Sequence, residues 1–108
     1  MISTSNKTAR ELTLEAGVAQ QLALDVSGSA RVCVVIENTG GSNSIDTLTI
    51  ERSPDGEVYA TDSSAASLAP IAAGADALLE LSRNASKLLR LTLTSTSGTT
   101  ARVTLRGT

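Results

Sequence analysis

The residues from Ala77 to Arg106 read ALLELS, RNASK, LLRLTLTS, TSGTT and ARVTLR in succession. Leu89, Leu91 and Leu93 alternate with Arg90, Thr92 and Thr94, and Val103 and Leu105 alternate with Arg102, Thr104 and Arg106. A period of two is the pattern of a strand that buries one face and wets the other. Threonine suits the wet face because its β-branch fits a pleated surface. The spacing predicts a closing hairpin of Leu88–Ser95 with Ala101–Arg106 around Gly98, in which Leu93 faces Val103 and Leu91 faces Leu105. Arg90 would then oppose Arg106, an unfavourable pairing, and Glu80 is the expected neutralising residue. Exposed, such a cluster contributes little; at an interface it can set partner choice.

Working back from this stretch, the same rhythm recurs. Strands are expected at Arg10–Glu15, Ala19–Val26, Arg31–Asn38 and Ile45–Ser53, with even-numbered residues inward. Parity pairs the first two of these as a hairpin and sets Leu48 and Ile50 opposite Ile36 and Val34. Ser53–Gly56 (SPDG) is a turn in which Pro54 presets φ, Asp55 caps and Gly56 takes the strained position. A short strand EVYA follows it. Pro70 and Gly74 argue against a helix in the alanine-rich segment after Leu68. There the expectation is a strand fragment at Leu68–Ile71, a turn through AAGAD and a strand at Ala77–Ser82. The fold class is therefore all-β, an antiparallel sandwich (jelly-roll or immunoglobulin-like) of about seven to eight short strands. Residues 1–9 are expected to be a flexible arm and residues 10–108 a single domain.

Composition narrows the function. The chain of 108 residues has no His, Trp or Phe, one Cys and one Tyr, so Leu, Val, Ile and Ala must make the core. Such a core buries less area per residue than one with rings, and partner subunits are expected to contribute stability. Nine basic residues are scattered over a chain of net charge −2, which argues against nucleic acid as a partner. No apolar run approaches the ~20 residues of a membrane span. The N-terminus MISTSNKTAR is polar and is not expected to be a secretory signal. On that expectation the sequons at Asn6 and Asn84 are coincidental.

Candidate chemistry is sparse. A nucleophile here would lack a histidine base, and Cys33, among valines, is expected to be a buried, inert thiol. The acids Asp46, Glu51, Asp55, Glu57, Asp62, Asp76 and Glu80 form no recognisable motif. Asp55, Glu57 and Asp62 could offer oxygen ligands to calcium, but their spacing matches no EF-hand loop, and solvated turn acids are the better reading. Tyr59 is expected in the core or at its rim. No catalytic, cofactor-binding or metal residue is assigned, no cofactor is expected, and the chain is expected not to be an enzyme.

The segment TIERSPDGEVYA, then APIAAGADALLEL, then SKLLRLTLTSTSGTTARVTLRG resembles the small β-sandwich proteins of tailed-phage virions, particularly capsid decoration or cement proteins. The resemblance is carried by Ser53, Asp55 and Gly56, by Ala73 and Gly74, by Leu89, Arg90 and Leu91, and by Val103, Thr104, Leu105 and Gly107. Glu57-Val58-Tyr59 stands where that family often has a Trp. The resemblance implies a protein added to a capsid exterior, bound to the major capsid protein as a homo-oligomer, often a trimer. Its location would be the virion surface after synthesis in the host cytoplasm. The expected contacts are Met1–Thr8, Thr39–Ser44 and Thr61–Ala69, with close packing of Ile71–Ala77 across a symmetry axis. The alternative is a carbohydrate- or receptor-binding module of a tail fibre, baseplate or bacterial surface protein.

Overall fold

Alternation in the sequence becomes alternation in space along nearly every strand. The computed structural model describes residues 6–62, 67–81 and 86–107. The strands are β1 (Asn6–Leu14), β2 (Gln20–Asp25), β3 (Val32–Asn38), β4 (Thr47–Ser53), β5 (Ala60–Asp62), β6 (Asp76–Leu81), β7 (Leu88–Thr94) and β8 (Thr99–Gly107). They form two four-stranded antiparallel sheets, ordered β1-β8-β3-β6 and β2-β7-β4-β5. That interleaved order is a jelly roll. It selects one of the two sandwich types that the sequence allowed.

The inner faces meet in a core without aromatic rings. Val34, Ile36, Val103 and Leu105 project from the first sheet; Leu48, Ile50, Leu89, Leu91 and Leu93 project from the second, and all are buried. β3 alternates between buried and half-buried residues along its whole length, as befits an interior strand with neighbours on both sides. Two tight turns rely on glycine, Gly56 at φ 86° in the SPDG turn and Gly98 at φ 87° between β7 and β8.

Strand pairing departs from the sequence reading in three places, for one physical reason. β7 and β8 do not form a hairpin: β7 pairs with β2 and β4, while β8 pairs with β1 and β3. Likewise β1 and β2 lie in opposite sheets, and so do β3 and β4. Residues 95–98 cross from one sheet to the other, held where Gly17 N–H donates to Ser95 O at 2.9 Å. Arg90 therefore lies beside Glu51 and Ala23, not Arg106. Glu80 pairs with Cys33, whose other neighbour is Arg106. Both sides of a sandwich corner put the same parity on the core, so parity does not separate a corner from a hairpin.

β1 begins at Asn6, so residues 6–9 are a strand paired to β8, not an arm; residues 1–5 lie outside the described residues. The strand expected at EVYA is displaced to Ala60–Asp62. Ser67 and Leu68 form a short 3₁₀ turn, and Ile71 makes an isolated bridge to Ile45 in place of a strand fragment. Ser82, Asn84 and residues 63–66 of the Thr61–Ala69 segment lie outside the described residues. Cys33 is half-buried on the outer face of β3, because the core takes Val32, Val34 and Ile36.

Candidate interaction surfaces

Outward residues of β6, β3, β8 and β1 fall into rows across the first sheet. The middle row is Leu78, Val35, Thr104 and Ala9. Leu78 is 52% exposed, unusual for a leucine at the centre of a strand. One flanking row is Asp76, Glu37, Arg102 and Glu11. The other holds Glu80, Cys33 and Arg106. Charge is uneven across this face: β6 and β3 carry Asp76, Glu37 and Glu80, β8 carries Arg102 and Arg106, and β1 carries the acid Glu11. The β1 edge is guarded by Arg10, which occupies an inward register position opposite Val103 yet stays exposed. An inward-facing charge discourages a further strand from pairing there.

The second sheet turns a different face outward. Thr47, Thr49, Thr92 and Thr94 form a block in which the Thr47 and Thr94 hydroxyls bond to each other. Next to it Arg90 donates to both carboxylate oxygens of Glu51, at 3.0 and 2.9 Å, and lies 3.8 Å over the Tyr59 ring. This places Tyr59, half-buried, at the rim. The hydrogen bonds from Arg90 hold the Glu51 carboxyl below its usual range, and those to Glu51 raise Arg90. The charges satisfy each other and leave a braced, polar surface.

The turn acids are also committed. Asp55 Oδ1 accepts from the backbone N–H groups of Glu57 (2.8 Å) and Val58 (3.0 Å) and from Ser53 Oγ (3.1 Å). Those backbone bonds, Val58 first, lower its carboxyl. Asp62 receives Arg52 at the β5 edge. Asp55 and Asp62 thus serve separate partners, and no group of three acid, Cys or His side chains among the described residues is placed to hold a metal.

Thr39–Ser44, expected as a contact loop, is anchored from beneath by Asn38, which sequence reasoning missed. Asn38 is 2% exposed. Its amide donates to Asn43 O (2.8 Å) and Ile71 O (3.0 Å), and its Oδ1 accepts from Gly40 N–H (3.1 Å) and Thr99 Oγ1 (2.8 Å). Asn43 then donates to Gly98 O at 2.7 Å, and Ser95 Oγ to Ser44 O at 2.7 Å. The visible signal is an asparagine at the inward parity of a strand whose other inward residues, Val32, Val34 and Ile36, are apolar. Beside this loop, Glu11, Leu12, Thr13, Thr39, Thr100, Ala101 and Arg102 line an open groove of about 510 Å³.

The molecule thus belongs to the eight-stranded jelly-roll sandwiches. No family model and no curated protein matches the sequence. Solved structures do share the fold. The SPBc2 prophage-derived protein YomS is 10% identical over 99% of this chain and 98% of its own, with a TM-score of 0.57. A chain from the turret assembly of an archaeal virus, described as a triple jelly roll, is 18% identical over 98% of this chain but only 29% of its own (TM-score 0.52). Chitosan-binding module 1 of a Paenibacillus chitosanase/glucanase is 17% identical over 90% of this chain and 75% of its own (TM-score 0.55). At such identities the likeness concerns the fold.

Proposed function

We propose that this is a non-enzymatic virion structural protein that decorates or cements a phage capsid by binding the major capsid subunits in their assembled state. The observation that carries the reading is the exposed Leu78 in an uncharged row with Val35, Thr104 and Ala9, on the outer face of a sheet whose inner face already fills the core. A face of that kind suits a protein that works assembled with others. Support comes also from the resemblance of Ser53–Gly107 to decoration proteins and from the fold shared with a prophage protein and a viral turret. Fold analogy is a weak guide to activity, so the mechanism rests on mass action: a protein that binds only assembled lattice stabilises that lattice. Among the described residues, this reading assigns the capsid contact to residues 39–44.

The test mixes the purified protein with mature heads of the phage that encodes it and with unassembled major capsid protein. Saturable retention on heads and none on free subunits is expected. Failure to co-sediment with heads overturns the reading. Deletion of residues 1–5, which spares β1, then tells whether that segment contributes.

A second reading, a carbohydrate-binding module, is favoured by the groove that sets Glu11, Arg102 and the hydroxyls of Thr13, Thr39 and Thr100 together. Carboxylate, guanidinium and hydroxyl groups suit sugar hydroxyls, and the fold is shared with a chitosan-binding module. Glycan-array binding without head retention would establish it.

A further inference from the structure

We infer that the outer face of β1-β8-β3-β6 pairs with the same face of a second copy, about a two-fold axis parallel to the strands and passing between β3 and β8. The inference refines the assembly reading above by naming the surface that pairs.

Register sets which residues meet across such an axis. A two-fold in that position lays β3 over the partner's β8 and β6 over the partner's β1. Glu37 and Arg102, already neighbours within one sheet, then meet their opposites in the other copy and close a ring of four alternating charges. Val35 meets Thr104, Leu78 meets Ala9, and Cys33 meets Arg106. The acidic half on β6 and β3 covers the half that carries Arg102 and Arg106. Asp76 against Glu11, at the outer strands, is a like-signed meeting that opposes the pairing. A two-fold perpendicular to the strands fails, because it sets Asp76 on Glu80 and Arg102 on Arg106. Charge thus selects one axis. The residues of the middle row suit the ~10 Å spacing of stacked sheets.

The face is small. Four strands at about 4.8 Å and three rows at about 7 Å cover roughly 400 Å² per copy. A total near 800 Å² is about half of a standard interface, so the pairing is weak in free solution. Copies held side by side on a shell would reach it more readily.

The experiment is sedimentation equilibrium on the isolated full chain at concentrations up to about 1 mM, high enough for an interface of this size. A monomer–dimer equilibrium is expected. E37R and R102E should each weaken it by about tenfold or more, since each sets like charges together. Mixed in equal amounts, the two variants should form a heterodimer: one copy is then basic at both positions and the other acidic at both, so each contact across the axis joins opposite charges. L78K should weaken pairing without rescue. A protein that stays monomeric, forms trimers, or dimerises regardless of the swaps overturns the inference. Heads play no part in this assay, so its failure is separate from failure of the capsid reading.

Discussion

Asn38 concentrates at one residue what the end of the sandwich needs. Its side chain joins β3, residues 39–43, the Ile71 backbone and the start of β8 through four hydrogen bonds, the one to Ile71 O buried and the other three partly so. Removing a buried partner leaves the remaining groups desolvated and unpaired, which costs more than the bond itself contributes. Asn38→Ala is therefore expected to destabilise by about 3 kcal/mol, measured by urea denaturation. Asn38→Asp should be worse at neutral pH: it keeps the acceptor for Gly40 and Thr99 but aims a carboxylate at the carbonyls of Asn43 and Ile71. Equal or better stability for the aspartate variant would show that the acceptor side alone matters. Gly40 belongs to the same hub, since a Cβ there would lie 1.9 Å from Thr99 Oγ1. In sequence, Asn38 closes an expected strand just before a Thr-Gly-Gly run and reads as a strand end; its role depends on Ile71 and Thr99, far along the chain, which composition does not reveal.

At the scale of elements, the turns are held by carboxylates. Asp46 accepts the Thr96 N–H at 2.6 Å and the Ser44 hydroxyl at 2.7 Å, tying the approach to β4 to the β7–β8 corner. These bonds, that from Thr96 foremost, hold its carboxyl below the ordinary range. Asp25, bonded first by the Ser27 hydroxyl and then by the Ser27 N–H, is lowered likewise. A carboxyl that is more acidic in the folded state binds fewer protons there than in the unfolded chain. Its contribution is complete above the unfolded value of about 4 and is lost as pH falls through the folded value. Thermal stability should thus be level on this account from neutral pH to about 5 and decline below about 4. Asp46→Asn should lower Tm at pH 7 and converge on the parent by pH 2; a constant offset would show that its charge is not involved. Strand identity was largely legible, because Leu89, Leu91 and Leu93 declare their buried face locally. Pairing was not. Leu91 and Leu105 do share one core, but from opposite sheets, and no local feature of TSGTT distinguishes a corner from a hairpin turn. The outer-face row was hidden for the same reason, since Leu78, Val35 and Ala9 become neighbours only once β6, β3, β8 and β1 are in order.

At the scale of the whole molecule, the topology makes folding a problem of distant pairing. Of the six strand pairs described, β4 with β5 alone joins consecutive strands. The outermost ladder joins Asn6–Leu14 to Thr99–Gly107, from one end of the chain to the other. Each such ladder closes a long loop before its contacts contribute, and that entropy slows folding far more than it lowers final stability. Refolding by stopped-flow dilution from urea should therefore take on the order of tens of milliseconds to seconds, not microseconds. Because β1 adds to an edge of β8 after β3 can pair with the other, its side chains should form their contacts late. Leu14→Ala, which removes a buried leucine from β1, should accelerate unfolding and leave the folding rate within about twofold. Leu91→Ala, in the strand flanked by both β2 and β4, should instead slow folding. A folding rate that falls as much for Leu14→Ala as for Leu91→Ala would place the end-to-end ladder in the nucleus and reverse that order of assembly.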